Sequence, residues 1–312
     1  MRYIHRLKEK VKHIYEHHYK KILLFPMLLV LLSLIQIGTQ YTTTGEFVHK
    51  GITLKGGSLI TLKVQTSSLP EELEQFLKQK FPQGDLSVRA LRAPAGETLG
   101  LSIESDAQEE SEIKTLISAI KEKTPLQEGD YNVEVIGSSL GNSFFRQTFI
   151  ALLVAFLLMG IVVFLYFRIP IPSLAVILAA FSDLTVTLAI FNLTGMKLSS
   201  AGVAAFLMLI GYSVDTDILL TTRVLKRHEG TIMERIYGSI TTGLTMLATT
   251  FAAVTVALIF VQSEVIRQIM VILCIGLIVD ALMTWIQNVG VLRLYLERKQ
   301  RQGEQQPRGG SQ

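Results

Sequence analysis

The stretch GYSVDTDILLTTR, residues 211–223, decides how this chain is read. It continues a run from Leu198 to Ile210 dominated by Leu, Ile, Val, Ala, Phe and Met, yet it carries Asp215 and Asp217 with no basic residue before Arg223. A helix long enough to cross about 30 Å of hydrocarbon needs about 20 apolar residues. Scanning outward for such runs gives six, at 22–40, 147–167, 171–191, 198–220, 239–261 and 265–292. The two acids therefore fall in the fourth of six expected spans.

With 49% apolar side chains over 312 residues, the chain is too apolar for a soluble domain and too polar to be membrane throughout. The expected division is a basic amphipathic segment over 1–21, a first span over 22–40, an extracytoplasmic domain over 41–145, a bundle of five spans over 146–292, and a basic, disordered tail over 293–312. The first span resembles a secretory signal in its basic flank, but Ile37-Gly38-Thr39-Gln40 lacks a small-residue cleavage site, so an uncleaved anchor is expected.

Lys and Arg in short loops set orientation. With the N-terminus inside, the inner segments hold 17 of them and the short outer segments only Arg146, Lys197 and Arg267. Both termini are expected inside the plasma membrane and residues 41–145 outside. That outer block has 10 Lys/Arg against 15 Asp/Glu, so the overall net charge of +4 comes from the inner flanks. Such charge fits anionic headgroups of membrane lipids and argues against a nucleic-acid partner. The single cysteine, Cys274, excludes an internal disulfide.

In the N-terminal segment, Arg2, Arg6, Lys8, Lys10 and Lys12 alternate with Ile4, Leu7, Val11 and Ile14, as expected of a helix lying on the inner surface. His13 and His17 have helical spacing, but no third ligand completes a metal site, and no cofactor is implied.

In the outer block, Ile52 to Leu54 and Leu59 to Val64 read as one strand broken at Gly56-Gly57. Pro70 opens a helix with Leu73, Phe76, Leu77 and Phe81 on one stripe. Leu86 to Leu91 and Leu99 to Ile103 alternate as strands about a turn at Pro94 and Gly96. Ile113, Leu116, Ile117 and Ile120 mark a second helix and Val133 to Ile136 a last strand. The order β-α-β-β-α-β predicts a ferredoxin-like α+β fold between spans 1 and 2. Gly56-Gly57 lacks the Lys and Ser/Thr of a phosphate loop.

Asp183 sits near the middle of span 3, Asp280 near the middle of span 6, and Asp215 and Asp217 in the inner half of span 4. A central Asp costs about 2.5–3.5 kcal/mol on insertion scales, so such acids usually face the bundle interior and mark ion or substrate routes. The alternative is a protonated acid bonded to Ser or Thr as interhelical glue. Helical spacing groups Gly276, Asp280, Thr284 and Gln287 on one face, Asp183 and Thr187 on another, and Thr242, Thr245 and Thr249 on a third. These faces are expected to meet in one polar seam, with Ala204 and Gly211 permitting close helix approach. No Lys or Arg lies deep in spans 2–6, so the four acids are expected to exchange protons as a relay.

GYSVDTDILLTTRVLKR in span 4, SDLTVTLAIFNLTG across span 3, KGGSLI after span 1 and TTGLTMLATT in span 5 together resemble the archaeal branch of the SecF family of protein-export membrane proteins, within the resistance-nodulation-division superfamily. Gly56, Gly57, Gly211, Tyr212, Ser213 and Arg223 carry the family pattern. The resemblance implies a non-enzymatic subunit working with a SecD-like partner beside a SecYEG-type channel, on a translocating polypeptide. It also implies half of a twelve-helix unit, and a proton flux that moves the outer domains. The chain departs from bacterial relatives at Thr216, where they carry the helix-4 acid, at Gly238, where they carry an arginine, and at Asp280, which has no usual bacterial counterpart.

A second reading is a proton-coupled exporter of small molecules or lipids of the same superfamily, for which the outer block is small. An intramembrane aspartyl protease is a third, but neither Tyr-Asp nor Gly-x-Gly-Asp occurs in the spans. Asn192-Leu193-Thr194 is formally a glycosylation sequon in a tight outer loop.

Overall fold

The computed structural model describes residues 15–63, 70–92, 98–124, 126–127, 129–226, 230–261 and 263–305. The expected surface helix before Tyr15, with His13, the turn at Pro94 and Gly96, and the last residues of the tail lie outside the described residues.

Among the described residues, six helices are long and apolar enough to cross a membrane. They are α1 (Leu24–Thr44), α4 (Ser138–Phe167), α5 (Pro170–Leu193), α6 (Ser200–Lys226), α7 (Ile232–Phe260), and α8 (Glu264–Leu282) running through a π-helical turn, Met283–Asn288, into α9 (Val289–Gln305). The chain is a multi-pass membrane protein. Local chemistry sets several ends: Pro170 fills the first position of α5, where its missing N–H costs nothing, and Thr231 with Glu234 forms a capping box on α7.

Burial divides the spans. In the apolar windows of α5 and α6, 61% and 56% of residues are buried, against 6% in α4 and in α7. The centre of the bundle is therefore α5, α6 and α8, and α4 and α7 present most of their surface outward. At the α6–α8 crossing a Cβ on Gly276 would meet Leu209 at 2.5 Å, so glycine is what lets the two axes approach. The expected approach at Gly211 is absent: Gly211 and Ala204 are exposed, and a Cβ on Gly211 meets nothing.

Between α1 and α4 lies a four-stranded antiparallel sheet, β1 (Gly57–Leu62), β2 (Ser87–Arg92), β3 (Thr98–Ser105) and β4 (Tyr131–Ile136), in the order β2-β3-β1-β4. Helices α2 (Pro70–Lys80) and α3 (Glu110–Lys123) complete the ferredoxin-like order. Ile60 pairs with Ile103 on one side and Val133 on the other. Alternation turns Ile60, Leu62, Leu101 and Ile103 inward against Leu77 and Ile120, all fully buried.

Two expectations are corrected here. Ile52–Lys55 is a helical turn, not a strand. The amide of Gly51 bonds to Leu198 O (2.8 Å), which ties this segment to the α5–α6 loop before it can join the sheet. Gly56, at φ +90°, then crosses under α4 so closely that a Cβ on Gly141 would lie 2.5 Å from its nitrogen. The tail expected to be disordered over 293–312 is helical in its first part: α9 continues to Gln305. Arg293 anchors this part of the chain by donating to Tyr15 O (2.9 Å) and Glu16 O (2.8 Å).

Beneath the sheet, Asp85 accepts from Lys55 and from Lys197 Nζ, the latter at 2.6 Å. Burial pushes the Asp85 carboxyl up, but the two ammonium groups outweigh it and hold the group below the ordinary carboxylate range. A depressed folded-state value contributes stability above the unfolded value and loses it as pH falls through the folded one. The unfolding midpoint of the wild type should thus exceed that of Asp85→Asn at pH 7, the gap closing only below about pH 4, as differential scanning fluorimetry would show. Separately, Gly141→Ala should cost about 1–3 kcal/mol, as overpacking does, measured by the same method.

Candidate functional site

Three of the four acids converge where α5, α6 and the α8 π turn meet. Asp183, Asp217 and Asp280 are each at most 1% exposed. Ser213 donates to Asp183 Oδ2. Thr284 Oγ1 lies 2.9 Å from Asp217 Oδ1 and 3.2 Å from Asp280 Oδ1, and Asn288 Nδ2 lies 2.7 Å from Asp217 Oδ1. One turn further along the helices of Asp183 and Asp217 lie Thr187 and Thr221, both fully buried. Gln287 Nε2 donates to Ser182 Oγ (3.0 Å) at the edge of the group.

Counting donors limits what this arrangement can hold. A threonine hydroxyl has one proton, so Thr284 serves Asp217 or Asp280 but not both at once. Asp183 Oδ1 and Asp217 Oδ2 have no side-chain or backbone partner among the described residues. No salt bridge among the described residues reaches any of the three acids. Thr284 can therefore turn from one carboxyl to the other, and the group offers fewer donors than carboxyl oxygens.

Asp215 is not part of it. Residues two apart on a helix point about 200° apart, since each residue turns about 100°, so with Asp217 buried Asp215 faces outward, where it is exposed. The threonine face of α7 also stays out: Thr245 and Thr249 are exposed and bond to carbonyls of their own helix. Thr242 is half-buried and receives Arg223 Nη1 (2.8 Å), which also donates to Gly238 O (2.7 Å). Arg223 thus ties the end of α6 to α7. Tyr212, half-buried, packs with Phe251 and Leu277. Gly56 and Gly57 belong to the crossing below the sheet, far along the chain from the acids.

Sequence reasoning missed Asn288. Eight residues after Asp280, a regular helix turns it about 80° away. The π turn inserts extra backbone, so that Thr284 and Asn288 both reach Asp217. π-bulges are often found at functional sites.

Residues 115–298 match the family model for the protein export membrane protein SecD/SecF C-terminal region. The chain is 40% identical over 294 residues to the protein-export membrane protein SecF of Pyrococcus furiosus, covering 94% of this chain and 97% of the relative. The chain belongs to the SecF family. It is similarly 41% identical over 255 residues to SecF of Methanothermobacter thermautotrophicus, over 80% of this chain and 85% of that one. The crystal structure of SecDF, a translocon-associated membrane protein from Thermus thermophilus, has the same fold, with a TM-score of 0.70 at 18% identity. The match takes in 90% of this chain but only 38% of that one.

The donor count yields a contrast. Asn288→Leu removes a donor from a buried carboxyl and should cost about 1–3 kcal/mol. Asp215→Asn, which removes no hydrogen bond seen among the described residues and replaces an acid at a face turned away from the bundle, should not destabilise the chain. Thermal unfolding in one detergent checks both.

Proposed function

We propose that the chain is a non-enzymatic subunit that works with a SecD-like partner beside a SecYEG-type channel to promote polypeptide translocation, with proton movement through Asp183, Asp217 and Asp280 biasing its helices. The observation that carries the proton reading is the burial of three carboxyls among Ser213, Thr284 and Asn288, without a basic partner among the described residues. One charge falling through 100 mV releases about 2.3 kcal/mol, enough to shift a two-state equilibrium severalfold. Thr187 extends the buried polar column toward the Asn192 end of α5, and Thr221 toward the Lys226 end of α6.

Family membership supports the export role. The relatives are named protein-export membrane proteins. The Thermus chain, of which this one matches 38%, leaves room for a companion half of similar size. Exposed Asp215 fits a partner-facing role, in which a side chain of the SecD-like subunit completes the relay. Lipid headgroups meet the basic inner flanks, and both termini lie in the cytoplasm with the sheet outside.

The central test is made in cells lacking their own copy, with secretion of a signal-peptide-bearing reporter as the readout. Asp183→Asn, Asp217→Asn and Asp280→Asn should assemble normally yet lower secretion severalfold, and Asp215→Asn should lower it as well. Normal secretion by all four removes the relay and leaves a scaffold. Orientation has its own check in a Cys274→Ala background: Ser118→Cys should react with an impermeant maleimide on intact cells, and Arg298→Cys only after permeabilisation.

A further inference from the structure

The helices that carry Asp217 and Asp280 begin at a knot of hydrogen bonds directly beneath the sheet. Gln268, in the first turns of α8 and 4% exposed, donates from Nε2 to Lys197 O (2.5 Å) and accepts from Ser199 N (3.0 Å) and Ser199 Oγ at Oε1. All polar atoms of this side chain are therefore spent on the loop that starts α6. A Cβ on Gly202 would lie 2.6 Å from Gln268 Oε1, so α6 carries glycine where this side chain passes.

The same loop is stitched to the base of the sheet. Leu198 N donates to His49 O (2.6 Å), Gly51 N to Leu198 O (2.8 Å), and Ser200 N, at the open end of α6, to Thr53 Oγ1 (3.1 Å). Lys197 then reaches Asp85, which also holds Lys55 just before β1. Asp85 precedes β2 and Lys55 precedes β1, so one carboxylate joins two strands of the sheet to the α5–α6 loop. Its charge persists at neutral pH, as derived above, so protonation near neutrality does not open the link.

We propose that Gln268 and Asp85 are positioning residues of a rigid coupling, through which a shift of α6 and α8 at the acid cluster is passed to the outer sheet. The inference rests on the proposed function, since it supplies the path from the acids to the part outside the membrane. Asp280 lies 12 residues beyond Gln268 on the same helix, about 18 Å along its axis. A helix is stiff over that length, and Gln268 fixes its outer end to the loop that opens α6. Motion at the acids thus arrives at one place, and Asp85 with its two lysines is where that place grips the sheet.

The test uses the full chain with its partner complex in cells lacking their own copy. Asp85→Asn and Gln268→Leu should each lower reporter secretion about fivefold or more, with normal complex recovery. The double variant should be no worse than the more affected single, because both cut one link. In a Cys274→Ala background, Asp85→Cys with Lys197→Cys should be similarly impaired, and a short bismaleimide bridging the two cysteines should restore secretion. A merely structural role would lower recovery and would not respond to bridging after assembly. Wild-type secretion by Asp85→Asn overturns the coupling, as does a bridged chain that stays impaired, which would place the necessary movement at this joint. If Gln268→Leu fails to assemble, Asp85→Asn, at a partly exposed site, decides alone. Secretion that is normal without the wild-type chain refutes the proposed function itself, a result separate from these.

Discussion

Three carboxyl groups buried between apolar helices, without a basic partner among the described residues, determine how α5, α6 and α8 must be arranged. Removing even one ionised carboxylate from water costs far more than a hydrogen bond returns. The helices can carry these groups only by turning them toward one another and toward donors. Gly276 lets α8 approach α6 against Leu209, Ser213 meets Asp183 from the neighbouring helix, and the π turn brings Thr284 and Asn288 onto Asp217. Each of these features would be a defect in a bundle without the acids. Together they turn the interior of three apolar helices into a site with fewer donors than carboxyl oxygens.

The same constraint explains the lopsided burial. Because α5, α6 and α8 must close around the acids, they take the centre, and α4 and α7 are left with few buried residues. α1 packs mainly on α5 and reaches the rest of the bundle through Leu29 and Val30 beside Val186 and Val279. A protein stabilised only by apolar contact in lipid would have little reason for such asymmetry, since lipid tails compete equally well for an apolar face.

Most of the architecture was legible in the sequence. Apolar runs placed all six spans, and the switch between periods of 3.6 and 2 placed both helices and the four strands of the ferredoxin-like fold. The misses share a cause: each depends on contacts between segments far apart in the chain. Ile52–Lys55 has β-branched residues suited to a strand, but Gly51 just before it is held by Leu198, and the amides of Leu54 and Lys55 turn back onto Gly51 O. Residues 300–305 are polar enough to look unfolded, yet α9 is continued from a helix anchored by Arg293 on Tyr15 and Glu16. Within the site, Asp183, Asp217 and Asp280 were found from the cost of burying acids. The opposition of Asp215 to Asp217 was present in their spacing, but which of them faces inward is decided by α5 and α8. Asn288 required the π turn, for which no sequence signal was visible.

Asp215 follows from that same geometry and leads in the other direction. Its face of α6 includes Ala204, Met208 and Gly211, all exposed. Against lipid, an acid within a span costs about 2.5–3.5 kcal/mol. Small residues beside a polar group are the composition of a helix–helix contact in membranes, where close approach and a cross-helix hydrogen bond replace the missing hydrophobic drive. The buried acids account for the inward face of α6 from within this chain. The outward face has the opposite property: it sets an acid beside small residues without a covering contact among the described residues, and that acid lies only two residues from Asp217, so any group bonding to Asp215 would act on the very segment of α6 that carries the buried site.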